Sequence, residues 1–129
     1  MAILTADSRT CTVHRVTPLD AARVRALRLE MLADSPLAFL ETLAQAAARS
    51  HEDYRRRIIQ ASAGETLAQF VADPGGRLIG HAGGTVIPED PQTTVVFAIY
   101  VTPAHRGSGV LEDLVETGPT GPDRWAGRS

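Results

Sequence analysis

An apolar run that ends at a proline and turns through a glycine corner constrains this chain more than any other feature. Val95-Val-Phe-Ala-Ile-Tyr-Val101 contains β-branched and aromatic residues and no charge, the pattern of a strand covered on both faces. Thr102-Pro103 stops it, because proline has no backbone N–H to continue a ladder. Arg106-Gly-Ser-Gly109 then opens a segment whose apolar residues Val110, Leu111, Leu114 and Val115 fall on a helical stripe. A helix start carries unpaired N–H groups and the positive end of a dipole, and glycines let a ligand approach that backbone closely. The stretch therefore predicts an anion site, most naturally for phosphate.

Composition limits what can surround this site. With 129 residues, 43% of them apolar and 22% charged, the chain suits one globular domain. A net charge of −2 gives no overall field for nucleic acid. No apolar run is long enough for a membrane span, and the N-terminus lacks a basic region followed by a long apolar core. Cys11 is the single cysteine, so no internal disulfide forms; the expected location is the cytoplasm, with Cys11 a small apolar residue at the first strand. No metal site is expected.

Upstream, Cys11 to Thr17 alternates well enough for a strand with loosely fixed ends. Pro18-Leu-Asp20 marks a helix entry, and Ala21 to Ala33 follows with strong helix formers. The arginines of this helix, Arg28 among them, read as a solvated face whose stems cover the core. Asp34-Ser-Pro36 breaks it. Leu43 to Ala48 has high helix propensity, and Ser50-His-Glu-Asp53 resembles a capping box opening a helix to about Ala63 and Gly64. Arg55-Arg-Arg57 points three ways on that helix and makes no nucleic-acid surface.

From Thr66 the period changes. Leu67 to Ala72 and Arg77 to Ile87 read as strands joined by the turn Asp73-Pro-Gly-Gly76, and Pro88 to Gln92 turns into the apolar strand. Short turns between consecutive strands predict an antiparallel meander. Gly83-Gly84 within a strand marks either a bulge or a place where another backbone or a ligand comes close, or else tight packing of a helix across the sheet.

The order strand, two helices, three antiparallel strands, helix, together with Val101-Thr-Pro-Ala-His-Arg-Gly-Ser-Gly-Val110, resembles the GNAT family of N-acetyltransferases over roughly residues 12 to 116. Its turn pattern, Gln/Arg-x-x-Gly-x-Gly/Ala, falls on Arg106, Gly109 and Leu111. Arg25 to Phe39 is similar to a stretch frequent in the family's first helix. The resemblance implies an α/β (α+β) domain with a GNAT-like mixed sheet. The divisions expected are 1–10 as a flexible N-terminus, 11–116 as a partial acetyltransferase domain, and 117–129 as a disordered Gly/Pro-rich tail. The family's later strands and helix, which usually bring the tyrosine that protonates the leaving thiolate, are missing from this reading.

What the resemblance further implies is acetyl-CoA as co-substrate. The backbone of Arg106, Gly107, Ser108, Gly109, Val110 and Leu111 would hold the pyrophosphate, and Ile99, Tyr100 and Val101 would pair with the pantetheine arm. Arg106 would add charge beside the phosphates and order the loop. The acceptor would be a primary amine of a small molecule or peptide, with Arg28, on the helix bordering its pocket, as the candidate residue for orienting it. Leu111 stands where the pattern favours glycine or alanine; helical spacing turns its side chain into the core, and crowding of the cofactor is the alternative. No catalytic acid or base is assigned. Glu89 and Asp90 read as turn residues, and His81 and His105 as structural or exposed residues with the capacity to titrate. Tyr100 does not match the family's acid position. Two functions follow: acetyl transfer, or a catalytically inactive truncated fragment that binds CoA or a protein partner. A homodimer or a partner chain would then complete the sheet.

Overall fold

A computed structural model describes residues 11–120; the segment 1–10 and residues 121–129 of the expected tail lie outside the described residues. The elements are β1 (Thr12–Arg15), α1 (Ala21–Asp34), α2 (Leu43–Ala48), α3 (His51–Ala63), β2 (Leu67–Asp73), β3 (Gly80–Ile87), β4 (Asp90–Val101) and α4 (Val110–Thr117), with single 3-10 turns before α1 and after β4. The alanine-rich run thus forms a helix of its own, and three helices rather than two precede β2. Its start is fixed locally: Thr42 Oγ1 accepts from Gln45 N–H at 3.1 Å while Gln45 Oε1 accepts from Thr42 N–H at 2.9 Å. Of the box expected at α3, one half forms, Ser50 Oγ accepting from Asp53 N–H at 3.1 Å.

The four described strands form one antiparallel sheet in the order β1-β2-β3-β4. The meander is as expected, but β4 begins at Asp90 rather than Val95, because Ile87 and Asp90 pair across Pro88-Glu89. β3 begins at Gly80 rather than Arg77.

Each face of the sheet has its own core. Val24, Leu27 and Met31 of α1 and Ile58 and Ala61 of α3 pack with Val71 and Tyr100 on one face. Val110 and Leu114 of α4 pack with Ala68, Phe70, Ala72 and Val101 on the other. The alternation Ala68/Phe70/Ala72 against Val71 in β2 is the period-2 pattern that lets one strand serve both cores. Arg15 ties the layers together: its Nε donates to Ala61 O at 2.8 Å, and its Nη2 to Gly64 O at 2.5 Å, placing a cation at the carbonyl end of α3. Thr117 closes α4, and Gly118 and Pro119 behind it are buried; a Cβ on Gly118 would lie 2.9 Å from Cγ of Phe70.

Candidate functional site

The β3–β4 register slips at two places, between Val86 and Ile87 beside the turn and between His81 and Gly83 further along. His81 pairs with Tyr100 and Gly83 with Phe97, so Ala82 faces an extra residue, and Ala98 sits at φ 51, the one non-glycine positive φ among the described residues. This is a β-bulge. Its consequence is visible in the packing: Val96 belongs with the α4 core, while Ala98 packs against the α1/α3 core.

The bulge separates two cavities. The first, about 460 Å³, lies between the end of β4, the glycine corner and the start of the loop after α1, and is lined by Ser35, Phe39, Val96, Ile99, Tyr100, Val101, His105, Arg106, Gly107 and Leu111 among others. The second, about 470 Å³, lies between α1, α3 and the sheet and includes Arg28, Glu41, Arg49, Arg57, Gln69 and His81. Ala38, Phe39, Phe97 and Ala98 line both. Each volume falls in the usual range for small-molecule sites, about 300–1,000 Å³.

Of the residues singled out in sequence, Ile99, Tyr100, Val101, Arg106, Gly107 and Leu111 meet at the first cavity. Ser108 and Gly109 are exposed at the entry to α4, and Val110 is 2% exposed, its side chain in the core. Leu111 departs from the preferred expectation: it is 43% exposed and lines the cavity, because Val110 and Leu114 alone supply the buried stripe of this short helix. Gly107 and Gly109 have φ of 80 and 90, and a Cβ on either would meet nothing within 4 Å. Gly109 caps α4 without a side-chain acceptor, so no capping side chain competes with a ligand for the N–H groups of its first turn.

Arg106 is already engaged. Its Nε donates to Val101 O at 2.8 Å, its Nη2 to Asp34 Oδ2 at 2.8 Å, and its guanidinium carbon lies 5.5 Å from the Tyr100 ring. It braces the corner against α1 and occupies the Val101 carbonyl. Tyr100 is 4% exposed, and burial first, then the nearby Glu30 and Asp34, push its phenol up.

His81 is 5% exposed, and its Nδ1 lies 2.8 Å from Ala98 O. A carbonyl only accepts, so Nδ1 carries the proton and Nε2 keeps a lone pair. Burial lowers the imidazole to about 4, with Arg28 adding to the effect. His105 Nδ1 lies 2.9 Å from Thr102 Oγ1. Asp90 takes Gln92 N–H and Thr93 Oγ1, as a turn residue does. Arg28 is not a solvated residue: its Nε donates to Glu41 Oε1 at 3.0 Å and its guanidinium lies over Phe39. Sequence reasoning missed Phe97, Ala98, Glu41 and Arg49. Among the described residues no helix is long and apolar enough to cross a membrane, and no cluster of His, Cys, Asp or Glu has the makeup of a metal site.

Comparison with known proteins agrees with this geometry. The model of the acetyltransferase (GNAT) family matches residues 29–117. No curated protein matches the chain. Among solved structures, an acetyltransferase from Thermus thermophilus superposes with a TM-score of 0.64 at 18% identity, covering 96% of this chain and 73% of that one. A GNAT-family acetyltransferase from Streptococcus pneumoniae gives 0.67 at 15% identity, covering 82% and 62%. The PaiA N-acetyltransferase of Thermoplasma acidophilum, solved with coenzyme A, gives 0.63 at 13% identity, covering 81% and 67%. The chain thus spans between 62% and 73% of the length of these three relatives. With its family model matched over residues 29–117 and its fold shared with these enzymes, the chain belongs to the GNAT acetyltransferase family.

Proposed function

We propose that the chain is an acetyl-CoA-dependent N-acetyltransferase acting on a primary amine of a small molecule or peptide. The observation that carries this reading is the bulge at Ala98, which stands between two cavities of similar size and is shared by both. A two-substrate transfer needs that arrangement: one substrate on each side, with the reacting atoms meeting at a common wall.

The residues of the first cavity fit acetyl-CoA. β4 is an edge strand of the described sheet, so its outer backbone around Ile99 can pair with an amide-containing arm as an added strand would. The same edge would serve a second copy of the chain or a partner strand, in competition with that arm. The N–H groups from Gly107 to Leu111 would receive the pyrophosphate at the start of α4, where the open glycines allow close approach. When bound, acetyl-CoA supplies an activated thioester: attack by the amine nitrogen forms the amide bond, the C–S bond breaks, and the thiol leaves with a proton. His81 is a positioning residue here, holding the bulge through the Ala98 carbonyl.

The test incubates the full chain with acetyl-CoA and a panel of primary amines, reading free thiol and acetylated amine together. Amine-dependent thiol release with the matching acetylated product is expected. Acetyl-CoA binding without transfer to any amine would replace this reading with that of a non-catalytic CoA-binding protein.

A further inference from the structure

The second cavity carries more positive charge than its own carboxylates neutralise. Glu41 lines it with a side chain only 14% exposed and both oxygens taken, Oε1 by Arg28 Nε at 3.0 Å and Oε2 by the Arg49 guanidinium. Burial alone would raise this carboxyl, but the hydrogen bonds from Arg49 and Arg28 outweigh it and hold Glu41 below its ordinary value. Glu41 is therefore ionised and saturated, with nothing to offer a cationic ligand.

Arg49 also reaches Asp53 Oδ2 at 2.8 Å, and Asp53 takes Arg56 and Arg57 besides. Four guanidinium groups thus share two carboxylates. Arg28 uses only Nε in hydrogen bonding among the described residues, leaving the outer edge of its fork open. Its guanidinium carbon lies 5.4 Å from the Phe39 ring centre, a cation–π contact that holds the head group beside that ring. A shallower cavity outside is lined by Arg28, Glu41, Arg49 and Arg57 but not by Phe97 or Ala98. The arginines therefore form the mouth, and the bulge forms the inner end.

We infer that the second cavity selects amines that also carry a carboxylate, held at the mouth by Arg28 while an apolar body lies against Leu27 and Met31. That arginine cluster already grips two carboxylates of the chain itself, and the open edge of the Arg28 fork matches a third in the same way. The inference rests on the acetyl-transfer reading only for the direction in which the amino group points. The preference for a carboxylate needs no turnover.

The experiment titrates the full chain, by calorimetry, with N-acetyl-L-leucine and with N-acetyl-L-leucinamide, two product-like probes of nearly equal shape that differ in charge. The acid should bind roughly tenfold more tightly than the amide, and Arg28→Gln should abolish the difference. Equal binding, no binding of either probe, or an unchanged preference in Arg28→Gln overturns the inference. If Arg28→Gln does not fold, Arg28→Met decides: it keeps the apolar stem against Phe39 and removes the guanidinium, and an unchanged acid-to-amide ratio there is equally fatal. Acetyl-CoA titrated into the same preparations separates the two failures. Acetyl-CoA binding without a carboxylate preference sinks only this inference, and the reverse sinks only the acetyl-transfer reading.

Discussion

His81 on β3 donates its Nδ1–H to the carbonyl of Ala98 at 2.8 Å, so the one buried imidazole of the sheet is bonded to the residue that makes the bulge. Its folded value of about 4 lies below the ordinary 6.5, through burial first and the nearby Arg28 charge. Between those values the unfolded chain binds the proton that the folded chain refuses. The stability His81 contributes is therefore complete above pH 6.5 and is lost as pH falls toward about 4. Urea unfolding should show about 2 kcal/mol less stability at about pH 5 than at about pH 7.5 from this group. His81→Gln should flatten that part of the profile; a variant with the same slope as the parent would show that His81 is not its source.

Gly83 lies beneath the ring of Phe97, where a Cβ would come within 2.6 Å of Cζ. The sequence left this glycine pair open between a bulge, a close approach and helix packing. What comes close is neither a backbone nor a ligand but the side-chain ring of Phe97 on the neighbouring strand, and Phe97 lines both cavities. Gly83→Ala should push the ring toward the shared wall, costing about 1–3 kcal/mol of stability. It should also weaken acetyl-CoA and amine probes together, measured by calorimetry on the folded variant. Loss of stability with unchanged affinity for both would remove Phe97 from the site.

Gly109 at φ 90 has open space around it, so Gly109→Ala meets strain but no clash. A cost of about 1 kcal/mol and a fall of a few degrees in Tm are expected from the backbone alone. If the pyrophosphate lies on this corner, affinity for acetyl-CoA should drop by roughly tenfold or more, since the methyl group covers the approach to the helix start. Retained affinity would move the phosphate site elsewhere.

Arg106 braces the corner by binding Val101 O and Asp34 Oδ2 at once. Arg106→Ala should leave the corner looser and weaken acetyl-CoA by roughly threefold to tenfold through the cost of ordering it on binding. Asp34→Asn, which removes only the charge partner of this half-exposed pair, should change affinity little. Equal losses in both variants would assign the effect to the ion pair.

What the sequence made legible was local. Ser50 announces α3 because its cap is made three residues away, and Pro103 with Gly109 announces the corner because each acts on its own backbone. The bulge was not legible: Val95 to Val101 is apolar throughout, so the slip that sends Val96 to one core and Ala98 to the other leaves no break in the pattern. The glycines that did stand out lie on the strand opposite. Glu41 and its arginines were invisible for a different reason, since Arg28, Glu41 and Arg49 lie on separate segments that only the tertiary fold brings together. Leu111 was misread because a helical stripe does not say which of its members the neighbouring sheet covers.

The central claim is that backbone around the bulge and the glycine corner binds acetyl-CoA, and amide hydrogen exchange with and without acetyl-CoA tests it most directly. Saturating ligand, at about 100 times Kd, should add about 2.7 kcal/mol to global stability. New protection should be concentrated at Ile99 and at Gly107 to Leu111, the N–H groups that face the first cavity and the start of α4. No protection at these amides, with stability unchanged at millimolar acetyl-CoA, would contradict the account.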